Sequence, residues 1–226
     1  MKQISVIIPT LNESARIAET LESLPRDRRL ERIVVDGGST DDTRARAESG
    51  ADRVLTSGAG RARQMNAGAA RAEGDTLLFL HADSRLPKGA IDQIEAVLRD
   101  PGVPGGAFQL SIDSPKRSLR WIARAANLRT RLTRVPYGDQ GIFVRRTVFE
   151  RLGGFPDLPI MEDLEFSRRM KRTGKIAILS SAVTTSARRW EREGILTVTL
   201  RNRLFAALYF LGVSPLFLAR RYRAVR

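Results

Sequence analysis

The chain has 226 residues, 42% of them hydrophobic, with no cysteine and one histidine. That is enough apolar content for one large domain, or a domain with a tail, and it excludes disulfides, thiolate chemistry and any multi-histidine metal centre. The formal net charge of +14 is uneven, with 15 Lys and Arg against 16 Asp and Glu in residues 1–100 and 24 against 9 in residues 101–226, so the second half faces something anionic: phospholipid, nucleic acid or a phosphorylated substrate.

After Met1 and Lys2 a short strand-like run takes the place of a signal-peptide core, and a reducing cytoplasm suits the lack of cysteine. Residues 4–9 read as a buried first strand closed by Thr10, Leu11, Asn12 and Glu13, with Asn12 or Ser14 able to cap a helix over 15–24. A second strand at 33–35 runs into Asp36-Gly37-Gly38-Ser39-Thr40-Asp41-Asp42-Thr43, a turn rich in glycine and helix-capping side chains. A helix to residue 49 and a strand at 53–55 follow. Gly60, Arg61, Arg63 and Asn66 lie where the next helix opens, and it ends near Gly74. Residues 76–80 are apolar throughout, as a strand buried on both faces is, and then His81-Ala82-Asp83-Ser84 turns polar. Strand and helix alternate through the first half, which predicts an α/β sheet wound with helices on both faces.

The second half predicts a helix over 87–99, a strand over 107–112 and a basic helix over 115–134. On that helix Arg117, Arg120 and Arg124 share a face, either solvated or turned to an anion. Pro136-Tyr137-Gly138-Asp139-Gln140-Gly141 leads into a strand at 142–144. A Gly- and Pro-rich loop, 153–159, precedes Met161-Glu162-Asp163-Leu164-Glu165 at the start of another helix, where acids also complement the helix dipole. A last strand at 175–179, then Arg188-Arg189-Trp190, a helix over 194–211, a break at Pro215 and a basic end at 220–226 complete the chain. The apolar stretch 204–219, interrupted by Ser214-Pro215, is shorter than the ~20 residues a membrane span needs.

In open α/β sheets, ligands sit beyond the carboxyl ends of the strands. The loops there carry Asn12 and Glu13; Asp36; Arg61, Arg63 and Asn66; and Asp83. Asp83 either caps the next helix or holds a divalent cation on a phosphate. The set suits a nucleotide, with a carboxylate for base or ribose, arginines for phosphates and a carboxylate for metal. Neither GxxxxGK[ST] nor a G-x-G-x-x-G after the first strand is present, so metal and side chains would replace a glycine cradle. His81 reads as a site-lining or structural residue.

Pro9-Thr10-Leu11-Asn12-Glu13, Val35-Asp36-Gly37-Gly38-Ser39-Thr40-Asp41, the Asp83 motif and Glu162-Asp163, in that order, resemble the signatures of family-2 glycosyltransferases of the GT-A fold. Phe79-Leu80-His81-Ala82-Asp83 with Pro136-Tyr137-Gly138-Asp139-Gln140 is similar, more narrowly, to the compact bacterial arsenosugar-biosynthesis subgroup. The resemblance implies a Rossmann-like, mostly parallel mixed sheet flanked by helices. A catalytic domain would span 1–190, with residues 1–100 its nucleotide half and 101–190 its acceptor half, and 191–226 would be a helical tail.

It further implies an inverting transfer from a UDP- or GDP-sugar to an acceptor hydroxyl. Asp36 would contact the base, with Pro9, Thr10, Asn12, Glu13 and Gly38 nearby. Arg61, Arg63, Asn66, His81 and Ala82 would lie along the nucleotide, and Asp83 would hold Mg²⁺ or Mn²⁺. Asp163 would be the catalytic base beside Glu162, with Asp139 its rival. Tyr137, Asp139, Gln140, Arg189 and Trp190 would face the acceptor. His81 stands in place of the first carboxylate of a D-x-D pair, and the glutamine of a Q-x-x-R-W motif is absent, which argues against processive synthesis.

Three other readings compete. A nucleotidyltransferase would need a Gly-, Arg- and Lys-rich loop after the first strand, which Thr10 to Glu13 do not supply. A nucleic-acid module would interleave aromatics among the arginines, and the chain does not. A peripheral-membrane polyprenyl-phosphate sugar synthase would use Phe205, Leu208, Tyr209, Phe217 and Leu218, flanked by arginines, at an anionic inner-membrane face. Against that stands the expectation that these residues pack on the protein's own sheet or in a homodimer.

Overall fold

In a computed structural model, which describes residues 3–223, the N-terminal apolar run is strand β1 (Ile4–Thr10), buried at every position. Its side chains alternate between two core layers: Val6 and Ile8 join Ile17 and Val34, while Ile7 joins Val35, Met65 and Leu77. A strand buried on both faces needs cover on both. It comes from α1 (Ile17–Glu22), β2 (Leu30–Asp36), α2 (Thr43–Glu48), β3 (Arg53–Thr56), α3 (Arg61–Arg71) and β4 (Thr76–Phe79). These four strands pair in parallel. Gly68 lets α3 lie close on the sheet: a Cβ there would sit 2.5 Å from Ile7 Cγ2 and 3.0 Å from Val35 Cγ2.

After β4 the parallel winding stops. Next come β5 (Ser84–Arg85), α4 (Ala90–Leu98), β6 (Gly105–Asp113), α5 (Arg117–Thr133) and a 3₁₀ turn (Gly138–Gln140). β7 (Ile142–Arg145), α6 (Arg146–Arg151), α7 (Glu162–Lys171) and β8 (Ala177–Ser186) follow. Among the described residues the sheet has eight strands in the order β3-β2-β1-β4-β7-β6-β8-β5. β7 is antiparallel to β4 and β6, β6 runs parallel to β8, and β5 is antiparallel to β8. This is the expected mixed α/β sheet flanked by helices. α8 (Arg188–Glu193), α9 (Ile195–Phe210) and α10 (Pro215–Arg223) supply the C-terminal helices.

The differences from expectation have local causes. The last strand runs to Ser186, not 179, because β6 continues beside it past an irregularity between Ala107 and Gln109. The expected break lies between α9, which ends at Phe210, and α10, which Pro215 itself begins, where its missing N–H has no partner to lose. The helix expected from 87 starts at Ala90, behind Gly89 at φ +69°, with no side chain capping it. Asp83 therefore does not act as its cap. Met1, Lys2 and residues 224–226 of the basic end lie outside the described residues.

Four phenylalanines, Phe79, Phe149, Phe155 and Phe166, stack around β4 and α7, with the Phe155 and Phe166 centroids 4.4 Å apart. This fixes the start of α7 against the carboxyl end of β4. Phe205, Leu218 and Ala219 pack with Ile160, and Leu208 and Tyr209 lie against them. So much of the tail's apolar face packs within the protein as expected, but on the loop before α7 and not on the sheet. Phe217 does not: it is 52% exposed. Among the described residues no helix is long and apolar enough to cross a membrane.

Candidate active site

The loops after β1 and β2 are clamped together. The Asp36 carboxylate accepts from the backbone N–H of Gly38 (3.1 Å) and Ser39 (3.0 Å) and from the Ser39 hydroxyl. Gly38 holds φ +93°, which a side chain would resist. Asn12 Oδ1 accepts from Thr40 N at 2.9 Å, and Asn12 N donates to Ser39 Oγ at 2.9 Å. Gln64 on the buried face of α3 donates to the carbonyls of Thr10 (2.7 Å) and Val35 (2.8 Å), tying both strand ends to the helix that carries Arg61.

Asp83 sits between β4 and β5. The carbonyl of Ala82 accepts from Thr20 Oγ1 at 2.7 Å, and that of Asp83 accepts from Ser186 N at 3.1 Å. Among the described residues the Asp83 carboxylate itself has no hydrogen bond or ion pair. Beside it, Arg188 Nη2 donates to Glu13 Oε1 at 2.7 Å. Burial raises the Glu13 pKa, Arg188 opposes the rise, and the charge of Asp83 adds to it. A half-buried, uncommitted carboxylate next to a second one is a hard-oxygen donor set suited to Mg²⁺ or Mn²⁺. No group of three or more ligating side chains occurs among the described residues. A cation here would complete its shell with phosphate oxygens and water, which is how Mg²⁺ is ordinarily held at phosphates.

A second carboxylate group opens α7. Met161, at φ +67°, precedes it, a conformation that strains an L-residue by about 1–2 kcal/mol. Ile160 beside it is held by Phe205 and Leu218. Asp163 Oδ2 accepts from Gly138 N at 2.6 Å and Oδ1 from Leu164 N at 2.7 Å. A Cβ on Gly138 would lie 3.0 Å from both Asp163 Oδ2 and His81 Nε2, so three loops meet at this glycine. Glu162, 2% exposed, pairs with Arg61 Nε at 2.9 Å. Its pKa is raised by burial, against the pull of Arg61. Burial, reinforced by Arg61, pushes His81 down to about 4, leaving a neutral imidazole at pH 7. Burial pushes Asp139 up to about 6, with Arg129 opposing and Asp163 adding. The Arg129 guanidinium lies 3.3 Å from the centroid of the Tyr137 ring.

Pro9, His81, Gly138, Glu162 and Asp163 line one cleft. Other expected residues are elsewhere. Arg63 points to the surface and bonds Asp157, with Nε–Oδ1 at 3.0 Å and Nη2–Oδ2 at 2.9 Å. Asn66 fastens the 153–159 loop, bonding Phe155 O at 2.8 Å and Phe155 N at 2.9 Å. Gln140 is fully buried, its Oε1 accepting from Thr130 Oγ1 (2.8 Å) and Tyr137 N (3.1 Å), so it cannot meet an acceptor. Trp190 packs with Leu119 and Ala123 of α5.

Arg189 does reach the site: it is among the charges acting on His81, and it donates to the Tyr222 hydroxyl. Tyr222 in turn acts on Arg61. The sequence reading missed Gln64, Arg188 and Tyr222. Arg188 could have been found, being next to Arg189, and Gln64 lies one helical turn past Arg61. Tyr222 carries no local signal.

Residues 5–153 match the sequence profile described as Glycosyl transferase family 2. The chain is 27% identical over 224 residues to the probable glycosyltransferase YdaM of Bacillus subtilis (strain 168), which takes in 85% of this chain and 51% of that protein. The chain thus spans about half the length of that relative. It is similar in structure to residues 1–349 of TarS from S. aureus, with a TM-score of 0.66, 21% identity, and 88% and 66% of the two chains covered. Against the mannosyltransferase PcManGT from Pyrobaculum calidifontis, solved with GDP-Man and Mn²⁺, the TM-score is 0.64 with 24% identity, covering 99% of this chain and 73% of the other. At these identities the structural likeness is one of fold. The profile, by contrast, runs from β1 through α6 and takes in Asp36 at the end of β2, Arg61 at the start of α3, and His81 and Asp83 after β4, and the chain belongs to glycosyl transferase family 2.

Proposed function

We propose that the chain transfers a sugar from a UDP- or GDP-sugar to an acceptor hydroxyl, with inversion at the anomeric carbon. One observation carries the reading: two unlike carboxylate sites stand on either side of His81, whose imidazole feels the charge of both Asp83 and Asp163. Asp83 is uncommitted beside Glu13, while Asp163 is gripped by Gly138 beside Glu162, Arg61 and His81. A transferase needs that division, one anionic site for a metal-bound diphosphate and another for a base. The solved complex of PcManGT with GDP-Man and Mn²⁺ supports the choice of donor class and cation.

In this reading the Pro9–Glu13 and Asp36–Gly38 loops border the nucleoside. Asp83 would hold Mg²⁺ or Mn²⁺, which would stabilise charge on the departing diphosphate. Asp163 takes the proton from the acceptor hydroxyl as its oxygen attacks the anomeric carbon, and attack on the face opposite the diphosphate inverts the configuration. The backbone N–H groups of Gly138 and Leu164 fix the carboxylate, one on each oxygen, and each oxygen keeps capacity to accept a further proton. Arg61 balances the charge of the buried Glu162 beside Asp163. Tyr137, Asp139 and Arg189 border the acceptor side. Asp139, pushed up to about 6, is the rival base. The Phe79–Asp83 and Pro136–Gln140 stretches keep the arsenosugar-biosynthesis subgroup as the narrower reading.

The test is turnover of candidate donors, with product configuration read by NMR. Asp163→Asn should lower kcat by about 10²–10⁴-fold and leave nucleotide affinity intact. A product of retained configuration, or a loss of that size in Asp139→Asn and not in Asp163→Asn, would overturn the assignment.

A further inference from the structure

Large apolar side chains stand in solvent mainly on one part of the molecule. The turn joining α9 to α10 exposes Phe210 (56%), Leu211 (80%), Leu216 (66%) and Phe217 (52%). Up the outer face of α9 run Leu204, Leu200 and Leu196, spaced four residues apart and each more than half exposed. α5 adjoins, with Ile122 and Ala126 in the same packed cluster as Ile195, and it adds exposed Trp121, Leu128 and Leu132. Soluble monomers rarely leave so large an apolar area uncovered without using it.

The charges around it choose the occupant. Arg203, Arg220 and Arg221 flank the helical hairpin, and Arg120, Arg124 and Arg131 flank the α5 residues. All six are exposed and none is ion-paired to a carboxylate among the described residues. Two lie against the aromatic residues of the patch, Arg221 over Phe217 at 5.5 Å and Arg124 over Trp121 at 5.1 Å. A second copy of the chain would bring the same excess, 24 Lys and Arg against 9 Asp and Glu in residues 101–226, and would be repelled. A leaflet with anionic headgroups matches both features: apolar side chains enter the acyl boundary and guanidiniums meet phosphates.

We propose that α9, α10 and the outer face of α5 form a peripheral docking surface for an anionic lipid leaflet, with the Phe210–Phe217 hairpin tip as the part that enters it. The surface adjoins the cleft through α10 itself. Phe217 at the tip and Tyr222 beside Arg61 and Arg189 are separated by about 7.5 Å along the helix axis. An acceptor anchored in that leaflet would approach from this side. That consequence, unlike the docking, rests on the transferase reading.

The test is sedimentation of the full chain with phosphatidylcholine vesicles, alone or with 30% phosphatidylserine, at about 0.1 M salt. Binding to the anionic vesicles should exceed binding to the neutral ones by at least tenfold and fall steeply in 0.5 M salt. Leu211→Glu combined with Phe217→Glu should lower it at least tenfold while melting temperature and nucleotide binding stay unchanged. Equal or absent binding to both vesicles would overturn the proposal. So would a dimer in analytical ultracentrifugation that the same double substitution dissolves. Because no donor or acceptor is present in the sedimentation, failure there leaves the transferase reading untouched, and failure of turnover leaves the docking untouched.

Discussion

Arg61→Ala removes the guanidinium 2.9 Å from a carboxylate that is only 2% exposed. Breaking a buried ion pair from one side costs about 3–5 kcal/mol. The Arg61 side chain is 45% exposed, so solvent screens part of the attraction, and about 2 kcal/mol at pH 7.5 is the reasonable size. The loss is capped because Glu162 can take a proton. Its folded pKa is already raised by burial and held back by Arg61, so removing Arg61 raises it further. A carboxyl whose folded pKa lies above its unfolded one holds its proton more tightly when folded. Stability is then lost as pH climbs from the unfolded pKa, about 4.3, through the folded one, by up to about 1.4 kcal/mol per pH unit.

The deficit of the variant should therefore vanish near pH 4.5 and grow towards pH 7.5. For a chain of 226 residues, about 2 kcal/mol is a melting shift of about 4–8 °C. Circular-dichroism melts across that pH range are the assay, with Arg61→Ala combined with Glu162→Gln as control. The control removes the charge that lost its partner and should recover most of the loss. A deficit of equal size at every pH, or no recovery in the double variant, would refute the pairing as the source of stability.

Gly138→Ala places a methyl 3.0 Å from Asp163 Oδ2 and His81 Nε2, so both must give by a few tenths of an ångström; turnover should fall about tenfold with a melting temperature within about 2 °C of the parent, and an unchanged kcat would remove Gly138 from the site. Asp139, pushed up to about 6 by burial, loses folding stability as pH rises from about 4 through 6. Asp139→Asn should then be more stable than the parent by about 2 kcal/mol at pH 7.5 and equal to it at pH 4, as read by urea unfolding at both pH values.

The alternation of strand and helix through β4 was legible because each strand is a dense apolar run and each break a glycine-rich or capping turn. β8 was cut short because Ser180 to Ser186 is mostly polar, with Val183 its one large buried apolar side chain, and the segment is held in the sheet by its pairing with β6. The carboxylates Glu13, Asp36 and Asp83 could be found from their places at the ends of β1, β2 and β4. Arg63 and Asn66 misled because they share with Arg61 the helix opening but not its face: Arg63 turns to Asp157, and Asn66 to the 153–159 loop. Gln140 misled because a polar residue in a site-like turn can be wholly consumed by its neighbours. Tyr222 comes to the site only through the packing of α10, a long-range fact with no local pattern.

Calorimetric titration of the purified chain with UDP- and GDP-sugars, with and without Mn²⁺, in the parent and in Asp83→Ala, tests donor and cation binding together. One donor should bind in a metal-dependent way, and the substitution should lower its affinity at least tenfold without altering the fold, since among the described residues the Asp83 carboxylate makes no hydrogen bond or ion pair. Donor binding that is indifferent to both the cation and Asp83, or no binding by a folded sample, would contradict the transferase reading.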